Sequence, residues 1–242
     1  IMDASNTNTA QAGAGYLNNI LAGELMQSNN LVETHMLFNP QMKSAFNFVP
    51  GIMGMIFILI CAMLTSVAIV REKETGTMDV LLVSPVRPLT IILAKMTPYF
   101  ILSCINLTTI LLLARFVLGI PMSGNLGSII VVSLVYLALS LSLGLLISTI
   151  AKQQIVALLI SAAVMLMPIV MLSGMLFPVE NMPAVLKPVS AIVPARWYID
   201  AMRRLMIQGA SFSLILKDFI ILVVMTIALL AIALKKFNDK LE

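Results

Sequence analysis

From Ser44 onward the chain alternates between long uncharged apolar stretches and short polar turns. Ser44 to Val70, Met96 to Ala114, Phe116 to Ala151, Gln153 to Val179 and Phe219 to Leu234 contain no Asp, Glu, Lys or Arg. A helix rising about 1.5 Å per residue crosses a hydrocarbon core of roughly 30 Å in about 20 residues. Four of the stretches reach or approach that length. The last does so by borrowing Ser211 to Leu216 or by letting Lys217 and Lys235 snorkel outward. The pattern predicts an all-α polytopic transmembrane bundle of five spans, at about residues 48–70, 96–118, 126–150, 155–177 and 214–234.

Punctuation along the chain agrees with that reading. Pro50 and Gly51 stand at the start of the first span, where a helix tolerates proline. Gly119-Ile120-Pro121 and Ser123-Gly124-Asn125 form a tight turn, and Ala151-Lys152-Gln153-Gln154 forms the next. Pro168 predicts a kink in the fourth span. Residues 178–212 carry four prolines and read as an interfacial segment of short helices, in which Trp197 and Tyr198 suit an interfacial aromatic position. There Asp200 can pair with Arg203 or Arg204 one turn on, and Gly209 fits a C-terminal cap.

Composition removes the soluble alternative. Hydrophobic residues make up 60% and charged residues 11%, with a mean hydropathy of +1.03. Soluble domains run near half apolar and a quarter charged, and this chain is too short to bury five such helices in water. Cys61 and Cys104 fall inside spans and read as small hydrophobes, not as a disulfide pair. His35 has no second His or Cys at ligand spacing, so no metal site is expected. The 18 Met residues scatter through the spans as core filler.

Residues 1–45 are polar, rich in Asn, Ala, Gly, Ser and Thr, and differ in kind from the rest of the chain. Tyr16, Ile20, Leu21 and Leu25 recur at helical spacing, predicting a short amphipathic helix near Gln11–Met26. No basic and apolar leader precedes them, which suggests a cut end, with a first helix missing and six spans in the intact chain. Loop parity puts Arg71–Lys95, Lys152 and the C-terminal tail on one side. Of the 15 cations, eight fall on that side and seven on the other, so the charge rule does not decide the orientation.

No ionisable residue stands near the middle of a predicted span, which disfavours a proton- or sodium-coupled transporter. Ser103, Asn106 and Thr109 lie roughly on one face of the second span. They are candidates for a substrate path, with interhelical hydrogen bonding as the plainer alternative. There is no catalytic constellation and no G-x-x-x-x-G-K phosphate loop, so the chain is not expected to be an enzyme or to hydrolyse ATP.

The polar stretch Arg71–Pro88 is the most informative. Alternating charges at Arg71-Glu72-Lys73-Glu74 let the first span continue as helix beyond the membrane, and Gly76 permits a break. Thr77 can cap a short helix with Met78, Leu81 and Leu82 on one face, and Ser84-Pro85 and Arg87-Pro88 stop it. Arg71–Pro85 resembles the R-E-K-E-x-G-T-x-E-x-L-L-x-S-P segment of the ABC type-2 transporter permease family, with Asp79 where Glu is usual. Phe38-Asn39-Pro40 with Phe48-Val49-Pro50-Gly51 resembles the same family's junction between ectodomain and membrane. Leu172-Ser173-Gly174 with Phe177-Pro178-Val179-Glu180-Asn181-Met182-Pro183 resembles its fifth helix end and outer segment, followed by Pro194, Tyr198 and Ala201-Met202-Arg203. The resemblance covers about residues 36–236.

That resemblance implies a permease subunit of an ATP-driven exporter. The segment 71–95 would be cytoplasmic, with Arg71, Glu72, Lys73, Glu74, Gly76, Thr77, Leu81 and Leu82 at the interface with an ABC ATP-binding subunit. Residues 178–212 would lie outside as re-entrant helices, and residues 1–45 would be the end of an extracytoplasmic domain. The implied partners are that subunit, a second permease copy and the lipid bilayer, with no nucleic acid. ATP and Mg would be bound by the partner and no cofactor by this chain. The implied location is the bacterial cytoplasmic membrane with a cytoplasmic C-terminus. The alternative is a non-transporting anchor or signalling subunit of the same type of complex. The substrate is left open.

Overall fold

The helix that organises the molecule is α1, Ala45–Glu74. In the computed structural model, which describes residues 2–3, 12–17, 20, 36–37, 45–77, 88–176 and 179–238, α1 starts before the expected position. Pro50 therefore lies inside it instead of at its start. Proline lacks the N–H that would bond to the carbonyl four residues back, a loss a helix tolerates near its end. At its far end α1 runs through the charged run because exposed Glu, Lys and Arg are good helix formers. Thr75 and Gly76 then close it with backbone bonds to Arg71 O (3.0 Å) and Lys73 O (3.3 Å), and Gly76 takes φ 72°, a value its missing Cβ makes inexpensive.

The second helix, α2, spans Pro88–Phe116, beginning a full two turns before the expected span and carrying Pro98 inside it. A turn at residues 117–125 leads to α3, Leu126–Ile150, capped by Asn125, whose side chain accepts from Gly127 N at 2.9 Å. Next comes α4, Gln154–Leu172, with Pro168 inside it. It ends earlier than expected because Ser173 and Gly174 (φ 81°) turn the chain away. A 3₁₀ turn, Val179–Asn181, precedes α5, Leu186–Ile192, and α6, Pro194–Met206. Another 3₁₀ turn, Phe212–Ile215, leads into α7, Leu216–Asn238. The architecture is an all-α bundle, apart from a two-residue parallel pairing of β1, Met2–Asp3, with β2, Met36–Leu37. Residues 12–17 and 20 are helical, with Tyr16 and Ile20 exposed, while Leu21 and Leu25 lie outside the described residues.

Among the described residues five helices are long and apolar enough to cross a membrane, in agreement with the pattern. Their core is the seam between α1 and α3. Met53, Phe57, Ile58 and Cys61 from α1 meet Val132, Tyr136, Leu139 and Leu145 from α3, all fully buried. Gly144 sets their separation: a Cβ there would lie 2.7 Å from Ala62 O and 2.8 Å from Thr65 Cβ. In lipid there is little hydrophobic drive between helices, so such close backbone approach carries the packing. Ser66 and Ser161 share a buried hydrogen bond of 2.9 Å that ties α1 to α4.

The short helix α6 departs from the interfacial reading. Its apolar face, Ala195, Tyr198, Ile199, Ala201, Met202, Leu205 and Met206, is wholly buried in the bundle. Tyr198, expected at an interfacial aromatic position, instead stacks on Tyr136 with ring centroids 4.1 Å apart. Its hydroxyl lies 3.1 Å from Ser133 Oγ, while Tyr136 OH donates to Gly54 O at 2.9 Å. A buried tyrosine needs such a partner, and α1 and α3 supply them. Trp197 is half-buried and its indole N–H donates to Ala191 O at 2.9 Å.

The Gly144 contact yields the first prediction. Gly144→Val should lower stability by about 2 kcal/mol through overpacking. Gly15→Ala, with open space around its Cβ, should leave stability unchanged. Thermal unfolding of the detergent-solubilised chain checks both.

Candidate functional site

The last turn of α1 carries Arg71, Glu72, Lys73 and Glu74, and successive helical residues point about 100° apart. Three consecutive charges therefore fan outward and meet three different helices. Lys95 Nζ on α2 donates to Glu72 Oε1. Lys73 Nζ donates to the Ser148 carbonyl in the last turn of α3, where unsatisfied carbonyls and the helix dipole favour a cation. Glu74 accepts from the backbone N–H of Gln154, the first residue of α4, at 2.8 Å, and from its side-chain amide. Gln153, at the N-cap, has no capping hydrogen bond of its own, so Glu74 caps α4 from another helix.

The remaining residues of this end face water or each other. Arg71, Gly76 and Thr77 are exposed. Thr75 Oγ1 donates to Arg71 O (3.0 Å) and Thr77 Oγ1 to Glu72 O (3.1 Å), so both hydroxyls satisfy carbonyls left free where α1 ends. Arg71, Glu72, Thr75, Tyr99 and Gln154 border a cavity of about 610 Å³ between α1, α2 and α4. Leu81 and Leu82, with the rest of the expected short helix, lie outside the described residues. Lys95, at the far end of the polar segment 71–95, folds back onto Glu72.

Ser103, Asn106 and Thr109 do not form one lining. Ser103 is buried against α1, donating to Tyr99 O (2.7 Å) and sharing a contact of 3.0 Å with Cys61 Sγ. Asn106 is half-buried, and Thr109 is exposed with its hydroxyl bonded to Ile105 O. Both cysteines are free thiols.

The sequence matches the family described as ABC-2 family transporter protein over residues 1–235. The chain belongs to the ABC-2 transporter family. It is 33% identical over 219 residues, 86% of this chain, to the probable multidrug ABC transporter permease YbhS of Escherichia coli K12, of which it covers 58%. It is 31% identical over 248 residues, 99% of this chain, to the probable multidrug ABC transporter permease YbhR of the same organism, of which it covers 67%. ABC transporter G family member 20 of Dictyostelium discoideum is 28% identical over 204 residues, 84% of this chain and 28% of that protein. The chain thus spans roughly three fifths to two thirds of its bacterial relatives. No solved structure matches it.

At the opposite end of this ABC-2 bundle lies a second charged cluster. Asp200 on α6 pairs with Arg203 (3.7 Å) and Arg204 (3.9 Å) one turn on, as the spacing predicts. Arg204 also reaches Asp218 at 3.6 Å, in the first turn of α7, and Arg203 donates to Gly174 O at 3.2 Å. Asp218 is almost fully buried, favoured there by the helix N-terminus as well as by Arg204. The α6 end is closed by Gly209 at φ 63°, with Ala210 N donating to Arg204 O at 3.1 Å.

Local spacing reached Asp200 with Arg203 and Arg204, because those residues are one turn apart. It missed Lys95, Ser148, Gln154 and Asp218, whose partners are far along the chain. The only available signal was the adjacency of each to a span end, where a helix terminus seeks opposite charge.

Two outcomes follow from these geometries. Glu72→Lys should lower stability by about 0.5 kcal/mol, since the pair is partly exposed, and Lys95→Glu in the same chain should restore it. Arg204→Met should cost about 2 kcal/mol by removing the paired cation of the buried Asp218, with Lys217 and Arg196 left to act on it, whereas Asp218→Asn should cost about 1 kcal/mol. Thermal and denaturant unfolding in detergent measure both comparisons.

Proposed function

We propose that this chain is the membrane permease subunit of an ATP-driven exporter, working as a pair of permease copies with separate ATP-binding subunits. The observation that carries the proposal is the fan at Glu72, Lys73 and Glu74. One exposed turn grips α2, α3 and α4 at once, so a force applied there by a docked partner reaches four spans together. Bistable packed helices convert such a push into a rigid-body shift, the basis of alternation between inward- and outward-facing states. The names of the bacterial relatives, as permeases of multidrug ABC transporters, support the same reading.

In this reading ATP and Mg are bound by the partner, since the sequence holds no phosphate loop. Arg71, Glu74, Gly76 and Thr77, exposed at the end of α1, and the partly exposed Glu72 and Lys73 form the docking surface together with Leu81 and Leu82. That end is cytoplasmic, in a bacterial cytoplasmic membrane, with the C-terminus on the same side. Residues 1–45 belong to the opposite side. Ser103 serves helix packing, leaving Asn106 and Thr109 as the polar groups of α2 available to a substrate.

Charge reversal separates docking from bundle integrity. Glu72→Lys with Lys95→Glu keeps the internal pair, whereas Glu72→Lys with Glu74→Lys breaks two internal contacts. The chain, co-expressed with its ATP-binding subunit and reconstituted in vesicles, should lose at least fivefold of its transport-coupled ATP hydrolysis in both variants. Only the second should melt earlier. Unchanged co-purification and unchanged coupled hydrolysis in both variants would overturn the docking assignment. Hydrolysis without movement of any tested solute would overturn export.

A further inference from the structure

Between α2 and α3, at the end of the bundle opposite Glu72 and Glu74, runs a groove of about 540 Å³. Its floor is Leu107 and Leu111, both buried, and its walls include Cys104, Ile130 and Leu134. Arg115 stands at its mouth in the last turn of α2. Among the described residues it is the only ionisable group lining the groove besides the Cys104 thiol, and no carboxylate borders it. Among the described residues Arg115 has no ion pair and no hydrogen-bond partner. Both flanking helices are long enough to span a membrane, so the groove opens onto the hydrocarbon region with its cation at one edge.

We propose that this groove is a binding site for an anionic phospholipid, with the phosphate on the Arg115 guanidinium and an acyl chain along Leu107, Leu111, Ile130 and Leu134. A guanidinium presents a planar fork of donors that matches two phosphate oxygens, and it stays charged at any working pH. An Arg at the membrane surface attracts anionic headgroups, and the attraction falls off within a Debye length. The groove falls within the usual volume of a small-molecule site, roughly 300–1,000 Å³, and offers apolar contact over most of it. A second copy of the chain would have to place a carboxylate on Arg115 as well as fill the apolar part, whereas an anionic phospholipid carries both groups in one molecule. Charge complementarity therefore favours the lipid. The site is separate from the Glu72–Glu74 fan and does not rest on the proposed coupling to ATP.

Native mass spectrometry of the full chain in detergent tests this, with phosphatidylglycerol or phosphatidylcholine of matched acyl chains added. Phosphatidylglycerol should remain bound at least fivefold more than phosphatidylcholine. Arg115→Gln should abolish that preference, and Arg115→Lys should retain part of it. Ile130→Trp, which fills the groove from a partly exposed position and leaves the charge intact, should reduce retention of both lipids. Equal retention of the two lipids by the wild-type chain, or a preference that survives Arg115→Gln, would overturn the proposal. So would efficient bis-maleimide linkage of Cys104 between two chains that phosphatidylglycerol fails to suppress, since that outcome assigns the groove to a second copy.

Discussion

The bundle depends on the close approach of α1 and α3. Where Gly144 meets Ala62, the two backbones come so near that a single added carbon would collide with a carbonyl oxygen. Apolar helices in a membrane gain little from leaving lipid for each other, so affinity has to come from many atoms in tight contact and from hydrogen bonds. This seam supplies both. Tyr136 reaches from α3 to the Gly54 carbonyl, and its ring receives Tyr198 of α6. With α3 in place, α1 becomes the central helix, and α2, α4 and α6 find their positions against it through Cys61 with Ser103, Ser66 with Ser161, and Gly54 with Ile199.

The two ends of the bundle use charge in different ways. At the α1 C-terminus, Glu72, Lys73 and Glu74 are spread over three neighbours, two of them helix termini whose dipoles favour the opposite charge. Each contact is partly exposed and individually weak. Together they fix the relative rotation of four helices without a buried ion. At the other end Asp218 is buried, and its carboxylate depends on Arg204 from a helix that enters the bundle from the side. Removal of Arg204 takes the paired cation from a buried carboxylate, which makes the contact between α6 and α7 stricter than the fan at Glu72–Glu74.

Much of this architecture was legible in advance. Bilayer-length runs without charge located five helices, because a helix satisfies the backbone groups of an apolar segment within that segment, as lipid requires. Asn125 before an apolar run marked the start of α3, and Arg71–Gly76 marked the extension and end of α1. Boundaries set by tertiary contact were less legible. The helix α2 starts at Pro88, two turns before its uncharged run, and in that extension Lys95 meets Glu72, while α4 stops at Leu172 where the chain turns to meet α5 and α6.

The sequence by itself determined that the protein is a helical membrane bundle, because hydrophobic length and charge placement are local quantities read residue by residue. It also determined the family, since the Arg71–Pro85 motif is contiguous. Only the tertiary structure decided what the motif's charges touch, that Ser103 packs against Cys61 while Thr109 faces outward, and that Tyr198 lies in the core and not at an interface. Each of these rests on residues from distant parts of the chain brought within a few ångströms. A helix face carries no label saying whether lipid, water or another helix covers it until its neighbours are in place.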